Sequence, residues 1–438
     1  MLETTKQDAE TDSQQWSWVE STVWTERMLA ALVNGVKGGK WFSLYDKVYR
    51  IEVLEAAWQR VRRNKGAAGV DKISIERFEA NASRYLEELH HALITGQYRP
   101  QPVRRIEIPK GDGKTRPLGI PTVKDRIVQA ALKSVIEPIF EQQFLGMSHG
   151  FRPGRGAKDA LREVQDLLNQ GYCWVVDADI QGYFDNIPHA GMMARVEEHV
   201  SDGKVLGLIG EFLQQDIMAE AVKWTPTKGT PQGAVLSPLL ANIYLHPLDR
   251  LMKGKGYRMV RYADDFVILC ATQTEAEQAL SRVREWAEQS QLALHPDKTH
   301  VGNCREQGQG FEFLGYRFEA GKRTVRRKSL RKLRDTIRAR TRRAGGKSIE
   351  DVIKGINPVL KGWFNYFKHA HLWTFNTLDA FVRRRLRAIL LRQNKKQGCA
   401  NSKAASFRWK NAYFAERGLF SLHQARLNLA SQSRCGNS

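Results

Sequence analysis

RYADDFVILC, residues 261–270, places two adjacent carboxylates, Asp264 and Asp265, between two apolar segments. The flanking residues are of strand-forming types, so this stretch predicts a hairpin whose tight turn contains both carboxylates. Adjacent carboxylates repel each other and resist burial, which indicates a compensating cation nearby. Mg²⁺ fits, because it is a hard cation that prefers oxygen ligands. A lone Asp-Asp pair is more commonly a solvated turn, so the metal hypothesis needs further carboxylates.

A second carboxylate-bearing strand lies upstream, in CWVVDADIQGYFDNIPH, residues 173–189. Its apolar start leads into two aspartates, the second of which is Asp179. Two divalent ions about 3.5 to 4 Å apart, bridged by carboxylates from different strands, activate an attacking hydroxyl and stabilise the leaving oxygen of an in-line phosphoryl displacement. We therefore predict that Asp179, Asp264 and Asp265 hold two Mg²⁺ ions, with Mn²⁺ as a substitute.

These two stretches and five others resemble the motifs of the group II intron-encoded reverse transcriptase/maturase family, in the family's order. YADD alone is a weak signal, whereas seven blocks in order are a strong one. The other five blocks are IPKGDGKTRPLGIPTVKDRIVQ (106–129), SHGFRPGRGAKDAL (148–161), GTPQGAVLSPLLANIYL (229–245), HPDKT (295–299) and FEFLGY (311–316).

The resemblance implies an α+β right-hand polymerase fold, with fingers and palm followed by an α-helical thumb/maturase domain. The expected domains are an N-terminal helical extension (1–48), the reverse transcriptase fingers and palm (49–321), the basic thumb/maturase domain (322–396) and a short C-terminal module (397–438). The implied reaction is RNA-directed DNA synthesis from deoxynucleoside triphosphates on an RNA/DNA duplex. The chain resembles bacterial members without an HNH nuclease, since it has no CxxC pair.

The resemblance also implies a nucleotide site. Lys110 and Arg116 on a fingers hairpin suit an incoming triphosphate, because Arg holds phosphate bidentately and Lys acts as a point charge. Phe184 stands where the family places an aromatic ring against the sugar 2′ position, although core packing explains it equally well. Gln232 and Gly233 carry over as nucleotide contacts, with a simple helix entry as the alternative.

Three further roles follow from the same blocks. Lys298 is a candidate general acid for the departing pyrophosphate, or it only attracts phosphate. The backbone carbonyl of Ile180 is a candidate metal ligand. The segment Phe313, Leu314, Gly315 and Tyr316 resembles the hairpin that grips the primer end.

The positive charge is concentrated behind the palm. The chain carries a formal net charge of +22, yet residues 1–321 hold 40 Lys and Arg against 42 Asp and Glu. Residues 322–396 hold 23 against 4. Such an excess indicates a polyanionic partner, here structured intron RNA, with a merely solvated face as the alternative.

Candidate nucleic-acid contacts lie on this basic region and on one loop of the palm. Five arginines spaced by four, three, four and four residues fall on one helical face, and a later helix carries another cluster. The candidates are Arg327, Arg331, Arg334, Arg338 and Arg342, then Arg383, Arg384 and Arg387, and in the loop Arg152 and Arg155.

The remaining composition limits the function classes. Five well-separated cysteines support neither a disulfide framework nor a zinc site, and a reducing cytoplasm is expected. No stretch approaches the roughly 20 apolar residues that span a bilayer. Three functions remain open: a mobile-intron polymerase that is also a splicing maturase, an RNA-binding splicing chaperone with incidental polymerase activity, and a domesticated reverse transcriptase in defence or repair. Dimerisation stays open too.

Overall fold

The computed structural model describes residues 16–111, 113–220, 222–342, 346–395 and 398–435. The chain divides into two compact units. The first comprises the residues up to Tyr172 together with Val176–Val301, and the second comprises Cys173–Val175 together with the residues from Gly302 onward. This division falls earlier than the predicted palm-to-thumb boundary at residue 321.

The first unit opens with helices whose apolar faces build a core. One of them, spanning residues 51–64, buries residues 53, 54, 57, 58 and 61, the spacing of a single helical face. These helices are α1 (Glu26–Asn34), α2 (Tyr45–Val48), α3 (Ile51–Asn64), α4 (Ile75–Glu79) and α5 (Ala82–Ile94).

A hairpin follows where the sequence predicts the fingers. Its strands β1 (Val103–Gly111) and β2 (Lys114–Ile120) pair antiparallel, with Ile108 opposite Arg116. The pairing is irregular between Pro109 and Gly111, at the end of β1. Two short strands complete this sheet in the order β2-β1-β4-β5, namely β4 (Ile217–Ala219) and β5 (Val222–Trp224).

The palm sheet contains both carboxylate stretches. Its order is β6-β7-β3-β8, from β3 (Trp174–Asp179), β6 (Arg258–Tyr262), β7 (Asp265–Cys270) and β8 (His300–Asn303). In β7, the five residues after Asp265 are all buried, which explains why this strand reads as a continuous apolar run. The two strands that bear the aspartates are therefore neighbours.

Seven helices of the described residues accompany these strands. The longest of them begins at Val123, because Thr122 caps it by accepting a hydrogen bond from the Asp125 amide (3.1 Å). The helices are α6 (Val123–Glu141), α7 (Ala157–Asn169), α8 (Tyr183–Asn186), α9 (His189–Glu197), α10 (Gly203–Leu213), α11 (Ser237–Gly254) and α12 (Gln273–Gln289).

The second unit has a small antiparallel sheet followed by helices. The sheet order is β11-β10-β9, from β9 (Phe311–Phe313), β10 (Tyr316–Glu319) and β11 (Lys322–Val325). Three long helices then follow in the basic region, and the first and third carry the two predicted arginine clusters apart from Arg342: α13 (Arg327–Arg340), α14 (Ile349–Phe367) and α15 (Leu372–Gln393). Three shorter ones follow: α16 (Lys403–Arg408), α17 (Asn411–Glu416) and α18 (Leu422–Cys435).

Among the described helices, none combines the length and the apolar character needed to cross a membrane.

Candidate active site

The carboxylate hairpin has a tighter tip than the sequence predicts. Tyr262 pairs with Asp265 across β6 and β7, so only Ala263 and Asp264 form the turn. Asp265 is therefore the first residue of β7 rather than part of the turn. Ala263 has φ 59°, a left-handed conformation that two-residue hairpin turns require at their first position.

Asp179 is the last residue of β3, and β3 lies next to β7, the strand that begins at Asp265. The charge of Asp179 influences the pKa of Asp264. Burial raises the pKa of Asp264 because it penalises the charged carboxylate, and the negative charge of Asp179 raises the same pKa further. Arg116 and Arg261 lower the pKa of Asp264 and offset part of this effect. The carboxylate of Asp179, at the end of β3, and that of Asp264, in the turn before β7, therefore repel each other, and a nearby cation would relieve this repulsion.

A segment beyond α12 closes the other side of Asp179. The amide of His295 donates to the backbone carbonyl of Asp179 (2.7 Å), and the amide of Gln181 donates to the carbonyl of Ala293 (2.8 Å). A short 3₁₀ turn, Pro296–Lys298, follows at once and brings the Lys298 ammonium into an ion pair with the carboxylate of Asp179. A protein cation therefore sits where a metal ion would neutralise this carboxylate.

Asp179 and Asp264 suit a hard divalent cation by their chemistry, because carboxylate oxygens are the ligands that such a cation prefers. In this structure the Lys298 ammonium neutralises Asp179 instead. Within the part of the chain that the structure describes, no group of three or more His, Cys, Asp or Glu side chains is arranged to hold a metal ion. Ile180 is buried and bridges to Leu294. The metal roles of Asp265 and Ile180 stay predictions.

A hydrogen-bonded chain links the fingers to the palm. Nε of Arg116 donates to the amide oxygen of Gln232 (2.5 Å), and the amide nitrogen of Gln232 lies 3.4 Å from the carboxylate of Asp185. Backbone contacts fix the same loop: the Gly119 amide donates to the Gln232 carbonyl (2.7 Å). Gly233 has φ +109°, and a Cβ there would collide with the Gly119 carbonyl, so glycine is required. The structure thus places Arg116, Gln232 and Gly233 together, while their contact with a nucleotide stays a prediction.

Asp185 belongs to the same hydrogen-bonded chain as Arg116 and Gln232. Burial raises its pKa, while the positive charge of Arg105, the hydrogen bond from Gln232 and the charge of Arg116 lower it. Beside it, a cavity of about 340 Å³ is lined by Arg105, Asp185, Lys228 and Gln232, among others. In the sequence, the one feature that could have indicated a functional role for Asp185 is its position directly after Phe184, the residue predicted to contact the sugar.

For the other two predicted nucleotide contacts, Phe184 and Lys110, the structure does not decide between the proposed roles. Phe184 is buried against Tyr183, with ring centroids 5.6 Å apart, and its carbonyl accepts from the Thr230 amide (2.7 Å). Both of its proposed roles, packing and contact with a sugar, stay open. The side chain of Lys110 lies outside the described residues.

The two arginines of the palm loop have different environments. Arg152 is buried, and its guanidinium is bonded to the carboxylate of Glu141 (2.6 Å) and to the carbonyls of Leu145 (2.5 Å) and Ser148 (2.7 Å). This placement favours a role in holding the loop rather than in contacting phosphate. Arg155 is exposed and donates to the Gly146 carbonyl (2.7 Å), so it is free to reach a ligand with its other donors.

In the second unit, the predicted primer-grip segment is a hairpin. Phe313 pairs with Tyr316, and Leu314 and Gly315 form a two-residue turn with φ 48° and 85°. Both aromatic side chains are fully buried, and the hydroxyl of Tyr366 donates to the Leu314 carbonyl (2.8 Å). Any contact with a primer from this segment therefore comes from the turn.

The basic helices carry arginines of two kinds. Exposed members of the predicted set are Arg327, Arg331, Arg338, Arg342 and Arg384. Arg334 and Arg383 are half-buried, and Arg334, Arg338 and Arg384 lie 5.6 to 5.9 Å from the Phe381 ring centroid. Arg387 is buried and donates to the Trp409 carbonyl (3.1 Å) and to the Asn411 side chain (3.2 Å). Its contacts favour a structural role.

Comparison with known proteins gives the family. Residues 108–318 match the family model described as reverse transcriptase (RNA-dependent DNA polymerase). Residues 330–409 match the group II intron, maturase-specific domain. Protein YkfC of Escherichia coli (strain K12) is 34% identical over 307 residues, which is 61% of this chain and 80% of YkfC. The chain belongs to the group II intron reverse transcriptase/maturase family.

Other likenesses within and beyond this family are partial. The group II intron-encoded protein LtrA of Lactococcus lactis subsp. cremoris is 38% identical over 210 residues. The match covers 48% of this chain and about a third of LtrA, 35%. A solved structure of a partial Cas6-RT-Cas1–Cas2 complex contains a chain with 26% identity and a TM-score of 0.35, covering 56% of this chain and 42% of that chain. At that TM-score the likeness bears on neither mechanism nor partners.

Proposed function

We propose that this reverse transcriptase/maturase copies RNA into DNA at a two-metal site held by Asp179, Asp264 and Asp265, and that its basic second unit binds intron RNA. The observation that carries the proposal is that β3, which ends at Asp179, and β7, which directly follows the turn residue Asp264, are neighbouring strands within the matched reverse transcriptase region. Two bound Mg²⁺ ions supply activation of the primer 3′-hydroxyl and stabilisation of the leaving pyrophosphate oxygen.

The protein's own residues position the substrates. Asp179 at the end of β3, Asp264 in the turn and Asp265 at the start of β7 are the proposed carboxylate ligands. Lys298, which pairs with Asp179, is proposed to neutralise the departing pyrophosphate or to donate a proton to it. The Ile180 carbonyl is a further oxygen donor. Mn²⁺ has the same ligand preference and substitutes for Mg²⁺.

Arg116, Gln232 and Gly233 form the proposed triphosphate site, together with Lys110. Arg116 already acts on the pKa of Asp264, so its charge reaches the carboxylate tip. A guanidinium binds phosphate oxygens bidentately, which aligns the α-phosphate with the attacking hydroxyl. Phe184 is proposed to contact the sugar and to disfavour a 2′-hydroxyl.

The experiment is primer extension on an RNA template with deoxynucleoside triphosphates. Asp264→Asn keeps the size of the side chain and removes its charge, so we expect extension to fall by a factor of about 10³ or more, since metal-held charge stabilisation supplies several kcal/mol. Asp166→Asn, at an exposed carboxylate of α7, is the matched control and keeps wild-type activity. Extension by Asp264→Asn at the wild-type rate would refute the metal assignment.

A splicing role is the second proposed function, and the matched maturase-specific domain favours it. Splicing of a flanking intron RNA in the presence of the protein tests this role. Protein-dependent splicing supports a maturase, whereas cDNA synthesis without any effect on splicing favours a free-standing reverse transcriptase.

A further inference from the structure

A buried ion pair lies directly behind the carboxylate tip. The side chains of Arg261 and Asp249 are both 0% exposed. Nε of Arg261 donates to Oδ1 of Asp249 (2.7 Å), and Nη2 donates to Oδ2 (2.5 Å). The pair joins β6 to α11 by a bidentate geometry that only arginine provides.

The third donor group of this guanidinium points to the tip. Nη1 of Arg261 donates to the carbonyl oxygen of Ala263 and to the side-chain oxygen of Asn242, both at 2.9 Å. Ala263 is buried and left-handed, and it immediately precedes Asp264. A non-glycine residue persists in that conformation only where its surroundings hold it there. Arg261 is therefore the side chain that fixes the backbone on which Asp264 is carried.

Asn242 extends this support to the other side of the tip. Its side-chain nitrogen donates to the Gly150 carbonyl (2.8 Å). A Cβ atom at Gly150 would collide with the backbone of Tyr262 and Ala263, so this glycine lets the loop lie directly against the turn. The neighbouring His149 amide also donates to the Arg261 carbonyl (2.9 Å). The tip is thus enclosed by α11, β6 and the 147–150 loop.

We propose that Arg261, neutralised by Asp249, is a positioning residue that sets the place of Asp264 relative to Asp179 for cation binding. This inference rests on the proposed function, because it concerns the same carboxylates. The buried guanidinium of Arg261 orients the backbone carbonyl of Ala263. Asp249 and Asn242 in turn orient the guanidinium. A lysine could balance Asp249 but would lack the planar donors that reach Asp249, Asn242 and Ala263 together.

The test uses the full chain without nucleic acid and measures Mn²⁺ binding by calorimetry beside thermal unfolding. Two variants are compared with wild type: Arg261→Lys, which keeps the buried charge, and Arg261→Met with Asp249→Leu, which removes both charges and fills the space. Buried pairs replaced by apolar residues of similar size commonly leave a protein folded. Arg258→Met, on the same strand, is the matched control.

We expect both variants to unfold cooperatively and to bind Mn²⁺ about 10-fold or more weakly, the usual loss when a group that orients metal ligands is removed. The Mg²⁺ concentration for half-maximal primer extension should rise by the same factor, and Arg258→Met should change neither. Wild-type Mn²⁺ affinity in the folded variants would overturn the proposal. Loss of folding in both would also overturn it, by assigning the pair to stability alone. Failure of the wild-type chain to extend primers would instead contradict the proposed function.

Discussion

The arginines behind the carboxylate tip differ from those on the basic helices in what surrounds them. Arg261 is fully buried, with its donors bonded to Asp249, Asn242 and Ala263. Arg327 and Arg342, on or just beyond α13, are exposed in a region with few acidic residues. A buried, bonded guanidinium fixes geometry, whereas an exposed one supplies screened charge. The same residue type therefore serves two purposes in this chain.

This difference separates what each unit contributes. Within the first unit, charged side chains are bonded closely around a carboxylate site, and small displacements there alter chemistry. On the helices of the second unit, exposed arginines provide charge that any phosphate backbone can neutralise, with affinity that depends on salt. The predictions below test this contrast with pairs of substitutions.

The largest effect on stability is expected from Asp249→Ala. It leaves the buried Arg261 charge without its partner and should lower the free energy of unfolding by about 3 to 5 kcal/mol. Asp335→Ala removes the carboxylate of the exposed pair with Arg338 (2.5 Å) and should cost about 1 kcal/mol or less. Chemical denaturation followed by circular dichroism measures both. Equal losses would break the distinction between buried and exposed pairs.

A smaller effect is expected at Arg387. Arg387→Gln removes buried hydrogen bonds to the Trp409 carbonyl and the Asn411 side chain, so it should cost about 2 kcal/mol of unfolding free energy. Arg384→Gln, at an exposed position on the same helix, is the control and should cost far less. If Arg384→Gln destabilises the chain as much, Arg387 has no special structural role.

The smallest expected effect is on the salt dependence of RNA affinity. The double substitution Arg327→Gln with Arg342→Gln should weaken RNA binding and reduce the slope of log affinity against log salt by about 1 to 2, since each phosphate contact contributes about 0.7 to 0.9. Arg162→Gln, exposed on α7, is the control. Filter binding over a range of KCl concentrations measures the slopes. An unchanged slope would show that the face containing Arg327 and Arg342 makes no phosphate contact.

Much of the fold follows from local patterns. The basic helices and the carboxylate hairpin arise from periodicity and turn chemistry within short stretches, which is why the sequence alone predicts that they form. The sequence also indicated that cations would compensate the two aspartates. Arg116 and Arg261 supply positive charge to Asp264, and Lys298 supplies it to Asp179, while the predicted metal ion stays a prediction.

What the sequence did not indicate depends on partners far along the chain. Burial of Arg387 follows from its hydrogen bond to the Trp409 carbonyl, 22 positions away, which forms only after folding. The link between Asp185 and Gln232 joins residues 47 positions apart. Arg261 did leave a signal: a charged residue following apolar residues in a strand is costly to bury without a partner, and this should have prompted a search for Asp249.

The most direct test of the central claim uses one flanking intron RNA and two proteins, wild type and Asp264→Asn. Both splicing and cDNA synthesis are scored in the same reactions. The contrast between a precise carboxylate site and a salt-dependent basic surface predicts that Asp264→Asn loses cDNA synthesis while RNA binding and splicing persist. Full-length cDNA made by Asp264→Asn at the wild-type rate would contradict it.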